Sequence, residues 1–216
     1  WMGEILFRTK LSENLFEGLA PWLQKLPGGL IHVNVVGCAL FAAISGSSAA
    51  TVATVGKMSI PELRKRKYPE KILLGSLAGS GTLGLLIPPS IILIIYGVTV
   101  QESIAKLFIA GIIPGIMIAL IFMGYVIIWS LLNKNKMPLT EENYSFLNKL
   151  SKSKQLIPVI LLILGVIGSI YTGIATATEA ASLGVVGALI LSYFQKSLNL
   201  KTFKESLLGA TKTSCM

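Results

Sequence analysis

Charged residues are missing from long stretches of this chain and crowded between them. Residues 28–56, 72–99, 107–132 and 156–195 contain one carboxylate, Glu179, and one histidine, His32; every other charge lies between these blocks or at the ends. As helices the four blocks would be roughly 43, 42, 39 and 60 Å long. A hydrocarbon core of about 30 Å takes about 20 helical residues, so only 107–132 reads as one ordinary transmembrane helix. Block 156–195 holds two, turning between Tyr171 and Thr178. The first two blocks are too long for one crossing and short for two, so the pattern predicts a break in each.

Helical spacing also appears outside the blocks. Leu11, Leu15, Leu19, Trp22, Leu23 and Leu26 recur on one face, with Glu13, Glu17, Gln24 and Lys25 on the others. This is the pattern of an amphipathic helix in the membrane interface, and residues 200–208 repeat it.

The breaks carry the candidate chemistry. In the first block the apolar run 30–44 meets Ser45-Gly46-Ser47-Ser48 and resumes through Thr51. Gly46 permits a tight turn, and Ser47 or Ser48 can cap the restarting helix. Two arms of about 10–15 residues reach about half a bilayer, which describes a re-entrant hairpin; a kinked full crossing is the competing topology. In the second block Gly79-Ser80-Gly81-Thr82-Leu83-Gly84 precedes Pro88-Pro89-Ser90. The prolines remove two N–H donors and disfavour helix at the residue before each, so a second half-helix starts near Ser90 or Ile91. Side by side, such breaks gather hydroxyls, freed carbonyls and half-helix ends, where secondary transporters bind coupling cations and anionic substrates. Close packing of small residues is the plainer reading of any single Gly-Ser patch; two interrupted, uncharged blocks favour a site.

Composition sharpens this picture. The 216 residues are 53% hydrophobic and 13% charged, with mean hydropathy +0.72. An ordinary soluble domain is about 25% charged, and that class is excluded. All ten acids are Glu, which weakens any Asp-based Mg or Ca site. Cys38 and Cys215 make neither a disulfide framework nor a metal quartet. The net charge of +9 is topological: residues 57–71 hold six Lys or Arg against two Glu, and 133–155 five against two. Positive loops stay cytoplasmic, and this reading of the basic runs is preferred to nucleic-acid or anionic-lipid binding.

The expected fold is an all-α integral membrane protein, a polytopic helix bundle. Its parts are the end of a preceding span and an interfacial helix (1–27), a re-entrant hairpin (28–58), a basic cytoplasmic loop (59–71) and an interrupted transmembrane helix (72–99). A transmembrane helix (107–132), a second basic cytoplasmic loop (133–155), two transmembrane helices (156–195) and an amphipathic linker (196–216) follow. Trp1 in place of an initiator Met, and the abrupt Cys215-Met216 finish, read as a fragment cut at both ends.

Two ionisable groups remain. Glu179 is either a proton carrier or cation ligand or half of a capping box, since Thr176-Ala177-Thr178-Glu179 has that spacing. His32, without a second His or Asp, reads as a hydrogen-bonded packing or substrate-path residue rather than a metal ligand. An intramembrane serine hydrolase, with Ser45, Ser47 or Ser48 as nucleophile and His32 as base, is the enzyme alternative; a cation transporter or channel of another family is another. The hydrolase would need a fold-back, because the stretch from His32 to Ser45 along one helix spans about 20 Å.

The runs CALFAAISGSSAATVATVGKMSIPELRKRKY, GSLAGSGTLGLLIPPSIILIIYG, LFIAGIIPG and TGIATATEAASLGVVGAL, with the opening MGEILFRT, closely resemble the large membrane subunit (DctM-like) of tripartite ATP-independent periplasmic (TRAP) transporters. The resemblance extends along the whole chain. Where the family usually has Pro between the threonines of the last motif, this sequence has Ala177, which keeps the capping box and loses a fixed first-turn φ. The resemblance implies a sodium-coupled permease of the bacterial inner membrane with an elevator-like motion. It further implies a small membrane subunit (DctQ-like), a periplasmic substrate-binding protein (DctP-like) and import of a C4-dicarboxylate, keto acid or sialic acid. It implies two inverted repeats, the second beyond Met216, and no organic cofactor. On this likeness Ser45, Gly46, Ser47, Ser48, Gly81, Thr82 and Pro88 are candidate sodium-site residues, and Ser48, Thr51, Pro89 and Ser90 candidate substrate residues. Thr176, Thr178 and Glu179 are the helix cap or an ion-linked group.

Overall fold

The computed structural model describes residues 1–9, 11–138 and 146–215. The middle of the 133–155 loop and the side chains of Leu11, Glu13 and Ala177 lie outside the described residues. Among those described, eleven α-helices and no strand are found. They are α1 (Met2–Arg8), α2 (Leu11–Leu23), α3 (Ile31–Ser45), α4 (Ser48–Lys65), α5 (Glu70–Gly81), α6 (Ile91–Val100), α7 (Ile104–Leu132), α8 (Phe146–Ser153), α9 (Ile157–Tyr171), α10 (Ala177–Phe194) and α11 (Leu200–Ser214).

The centre is α3, apolar nearly all round and buried on nearly every face, from Ile31 and Val33 through Phe41 to Ile44. It stops at Ser45 because Gly46 turns left-handed (φ 61°), its N–H closing on the Ala42 carbonyl; a residue without Cβ takes that conformation at no steric cost. Ser47, in extended conformation, caps α4 by accepting the Ala50 N–H, and α4 packs back along α3. Helix α5 packs on both. Phe41, Val55, Leu63, Leu73 and Leu77 close the interior, joined by Ile5 and Leu6 of α1 and Leu15, Phe16 and Leu19 of α2.

The second block breaks after α5. Thr82–Leu85 form one 3-10 turn, the chain crosses Pro88 and Pro89 without helix, and α6 starts at Ile91 after extended Ser90. Proline at 88 and 89 offers no N–H to continue a ladder.

Two boundaries and the surroundings of one helix differ from the charge pattern. Helix α4 continues past residue 58 to Lys65, through Pro61, because Ser59 and Leu63 still face the interior and Arg66 Nε reaches Glu62 one turn back at 3.0 Å. Helix α7 starts at Ile104 rather than 107, where the Ser103 hydroxyl accepts the Lys106 N–H. The apolar face of α2 is occupied by protein, packing on α3, α4 and α8.

Helix α7 is the one described helix long and apolar enough to cross a membrane. It is mostly unburied, with Ile113 76% and Leu120 61% exposed. A helix apolar on all faces and uncovered by protein requires an apolar surrounding. Ile95 and Val98 of α6 and Leu183 and Val186 of α10 extend that surface.

Candidate binding site at the helix interruptions

The two interruptions lie against each other. The Ile91 N–H donates to the Gly46 carbonyl at 3.3 Å. A Cβ on Gly46 would sit 2.6 Å from the Pro89 carbonyl oxygen. One on Gly84 would sit 2.8 Å from the Ser48 nitrogen and 2.9 Å from Ser47 backbone atoms, and one on Gly81 would overlap Val52. At Gly46 and Gly84 glycine is required by close backbone approach, and at Gly81 by the Val52 side chain: the α3–α4 tip seats on the 3-10 turn and the diproline.

Around this contact the hydroxyls form a small network. Ser45 Oγ lies 2.9 Å from Thr51 Oγ1 and donates to the Ser47 carbonyl at 3.2 Å. Thr51 Oγ1, fully buried, donates to that carbonyl at 2.7 Å. Ser90, also fully buried, donates to the Leu85 carbonyl at 2.6 Å, a group freed by the break. A cavity of about 200 Å³ opens beside the tip, lined by Ser45, Gly46, Pro89 and Ser90, with Trp1 and Phe108 among the apolar walls. Among the described residues no ionisable side chain lines it. The tools it offers are hydroxyl and carbonyl oxygens and the start of α6, which suit a weakly hydrated monovalent cation and a carboxylate respectively.

The sequence-derived candidates do not all gather there. Ser45, Gly46, Pro89 and Ser90 line the cavity. Ser47 and Ser48 touch the 3-10 turn at Gly84, and Gly81 abuts Val52. Thr51 lies beneath the tip, whereas Thr82 is on an exposed face with its hydroxyl on the Gly79 carbonyl at 2.7 Å. Pro88 lies at the side, against Gly111 of α7. Thr176, Thr178 and Glu179 do not line this cavity. Thr176 and Glu179 form a capping box at the start of α10, Glu179 Oε2 accepting the Thr176 N–H at 2.8 Å.

Sequence reading passed over a polar seam at the start of α3, the end away from the tip. Buried Asn34 donates to the Leu73 carbonyl at 3.2 Å and to Ser76 Oγ at 3.0 Å, tying α3 to α5. A lone Asn in an apolar run was the available signal. His32 is fully buried at that same end of α3, its Nε2 2.8 Å from the Pro27 carbonyl. Because α3 runs unbroken to Ser45, the imidazole is about 20 Å from the tip serines, and the hydrolase arrangement is not formed. Among the described residues no three His, Cys, Asp or Glu cluster as a metal site.

Across residues 1–216 the sequence matches the family described as tripartite ATP-independent periplasmic transporter, DctM component. It is 37% identical over 215 residues to the C4-dicarboxylate TRAP transporter large permease protein DctM of Pseudomonas aeruginosa, covering 99% of this chain and 50% of that protein. It is 37% identical over 210 residues to the isethionate TRAP transporter permease protein DctMQ of Oleidesulfovibrio alaskensis (95% of this chain, 32% of that one). The same identity, over 210 residues, is found with the sialic acid TRAP transporter permease protein SiaT of Haemophilus influenzae (96% and 33%). The chain thus spans half the length of the first relative and about a third of the other two.

Proposed function

This chain belongs to the DctM component family of tripartite ATP-independent periplasmic transporters, membrane permeases, and from that premise we propose that it forms the first-repeat half of a sodium-coupled importer of organic acid anions. The observation that carries the reading is the seating of Gly46 on Pro89 and Ile91, which joins two backbone interruptions beside a small uncharged cavity. Irregular backbone at membrane depth persists only where it is buried in protein or lines a cavity, and this one does both.

In the proposed cycle, α3–α4 is a hairpin entering from the cytoplasmic side, and α5–α6 is a broken transmembrane helix. Sodium binds among Ser45, the Ser47 carbonyl and the break. Its charge holds tip and break together, so the anion meets a pre-ordered site and the ordering cost of binding falls. The carboxylate is received at the start of α6. Hairpin and broken helix then move as one body in an elevator-like stroke. The small membrane subunit and the periplasmic binding protein implied by the family complete the importer in the bacterial inner membrane, with residues 57–71 and 133–155 cytoplasmic. Relatives' names carry a dicarboxylate, a sulfonate and a sialic acid, and others ectoine, a zwitterion; all four bear an acidic group, which supports an organic acid as substrate.

The test is uptake by the complete permease in proteoliposomes with its partner subunit and binding protein. An inward sodium gradient is expected to be required. Uptake that proceeds at the same rate without sodium would sink the reading.

A further inference from the structure

Three basic residues far apart in the chain converge in space. A groove of about 470 Å³ lies between the end of α1, the middle of α4 and the α10–α11 connection, and Arg8, Lys57 and Lys196 all line it. Thr54, Ser197, Asn199 and Thr202 supply polar groups, and Phe7 and Met58 an apolar wall. Among the described residues no carboxylate lines it. The nearby acids Glu4 and Glu205 are both engaged by Arg8, each at 3.0 Å. Lys57 rests its ammonium 4.7 Å from the Phe7 ring centroid. Neither Lys57 nor Lys196 has a carboxylate partner among the described residues.

Lys196 occupies an unusual backbone position. It is left-handed (φ 51°) just past the end of α10, where Gly or Asn ordinarily stands. A lysine there accepts local strain and delivers an ammonium to the groove. Just before it, Tyr193 and Phe194 are 72% and 76% exposed, the aromatic pattern of a membrane–water boundary. The groove therefore opens at headgroup level, with cations at its mouth and an apolar wall behind.

We propose that this groove is a binding site for the phosphate of an acidic phospholipid headgroup, held by Lys57 and Lys196 with Arg8 behind them. Phosphate takes charge-assisted hydrogen bonds from ammonium groups, and the Phe7–Met58 wall suits the start of an acyl chain. The site is separate from the interruptions and does not depend on sodium coupling.

The complete permease in neutral detergent tests this, through its thermal unfolding midpoint titrated with short-chain phosphatidylglycerol, short-chain phosphatidylcholine or inorganic phosphate. Saturable stabilisation by phosphatidylglycerol and none by phosphatidylcholine is expected. In a Lys57→Gln/Lys196→Gly variant the half-saturating concentration should rise about thirtyfold, near fivefold per lysine at a membrane surface. Glycine suits the left-handed position, so this variant removes charge without opposing the fold, and Lys196→Arg should restore part of the binding. An unchanged midpoint response in the double variant would overturn the site. Stabilisation by inorganic phosphate with none by phosphatidylglycerol would overturn the lipid as its source.

Discussion

The carbonyl of Gly46 accepts the N–H of Ile91 at 3.3 Å, so the last residue turning out of one helix is bonded to the first residue of another, 45 positions later. That bond links the two places where the backbone abandons α-helix. Neither interruption stands alone: each supplies a polar group that the other leaves unpaired, which is how freed backbone survives away from water.

Gly46→Ala is therefore expected to be severe. The new Cβ would meet the Pro89 carbonyl oxygen at 2.6 Å, on a backbone held at φ 61°. Strain and forced separation together should cost about 2–4 kcal/mol. A fall in thermal unfolding midpoint, with transport lost at equal membrane abundance, checks it. A variant as stable and active as the parent would show that tip and break are not in contact.

Gly84→Ala should behave alike, for its Cβ would press on the backbone of Ser47 and Ser48 at 2.8–2.9 Å. Gly75→Ala in α5 and Gly124→Ala in α7 would touch nothing within 4 Å. Those two should be neutral or stabilising by roughly 0.5–1 kcal/mol, since Ala favours helix. Measuring all three separates general intolerance of side-chain bulk from a packing demand at one site.

Much of this arrangement was legible in the chain, for reasons tied to particular residues. Gly46 followed by Ser47, and Pro88-Pro89 ahead of Ser90, are local signals that act on their own neighbours, so both interruptions could be placed within a residue or two. That they meet is a long-range fact carried by missing Cβ atoms at 46, 81 and 84, and a glycine does not say whose backbone it admits. Ser and Thr residues were likewise indistinguishable by type: Ser45 and Ser90 face the cavity while Thr82 faces outward, a matter of helical phase at a break. The run of α4 to Lys65 was hidden because Pro61 and dense charge read as loop, whereas buried Leu63 keeps that turn helical.

The division among hydroxyls gives a functional prediction. Ser45 Oγ lines the cavity and braces Thr51 at 2.9 Å. Thr82 is exposed and its hydroxyl is engaged by the Gly79 carbonyl. Ser45→Ala should raise the sodium concentration for half-maximal uptake about fivefold, from the loss of one hydrogen-bonding oxygen. Thr82→Ala should leave it unchanged. The reverse ranking would move the ion to the outer side of the break.

The basic stretch after α4 carries a pH signature. Arg64 grips Glu70 with Nε–Oε1 at 2.6 Å and a second bond at 3.2 Å. The guanidinium hydrogen bond, aided by its charge, holds the Glu70 carboxyl below its ordinary value near 4.5. A carboxylate depressed in the folded state contributes stability that is present above its unfolded value and lost as pH falls through its folded one. The midpoint difference between parent and Glu70→Gln should thus be constant above the ordinary carboxylate value near 4.5 and shrink as pH falls below it. It should be small throughout, as the pair is exposed. A difference that grows on acidification would contradict the assignment.

Glu179 is the one carboxylate within the apolar blocks, and its geometry favours a cap over an ion carrier. Its Oε2 accepts both the Thr176 N–H at 2.8 Å and the Thr176 hydroxyl at 2.7 Å, while the Glu179 N–H points back to that hydroxyl at 3.4 Å. With those contacts made, the carboxylate is directed at its own helix start. Thr176→Ala should lower stability by about 1 kcal/mol, and Thr176→Ser should restore it. Glu179→Gln keeps an acceptor for the Thr176 N–H while removing the charge. It should therefore lose little stability from the favourable charge at a helix N-terminus, with the sodium dependence of uptake unmoved. If instead Glu179→Gln unfolds at the parental temperature yet no longer responds to sodium, the carboxylate serves the ion and the capping box is incidental to it.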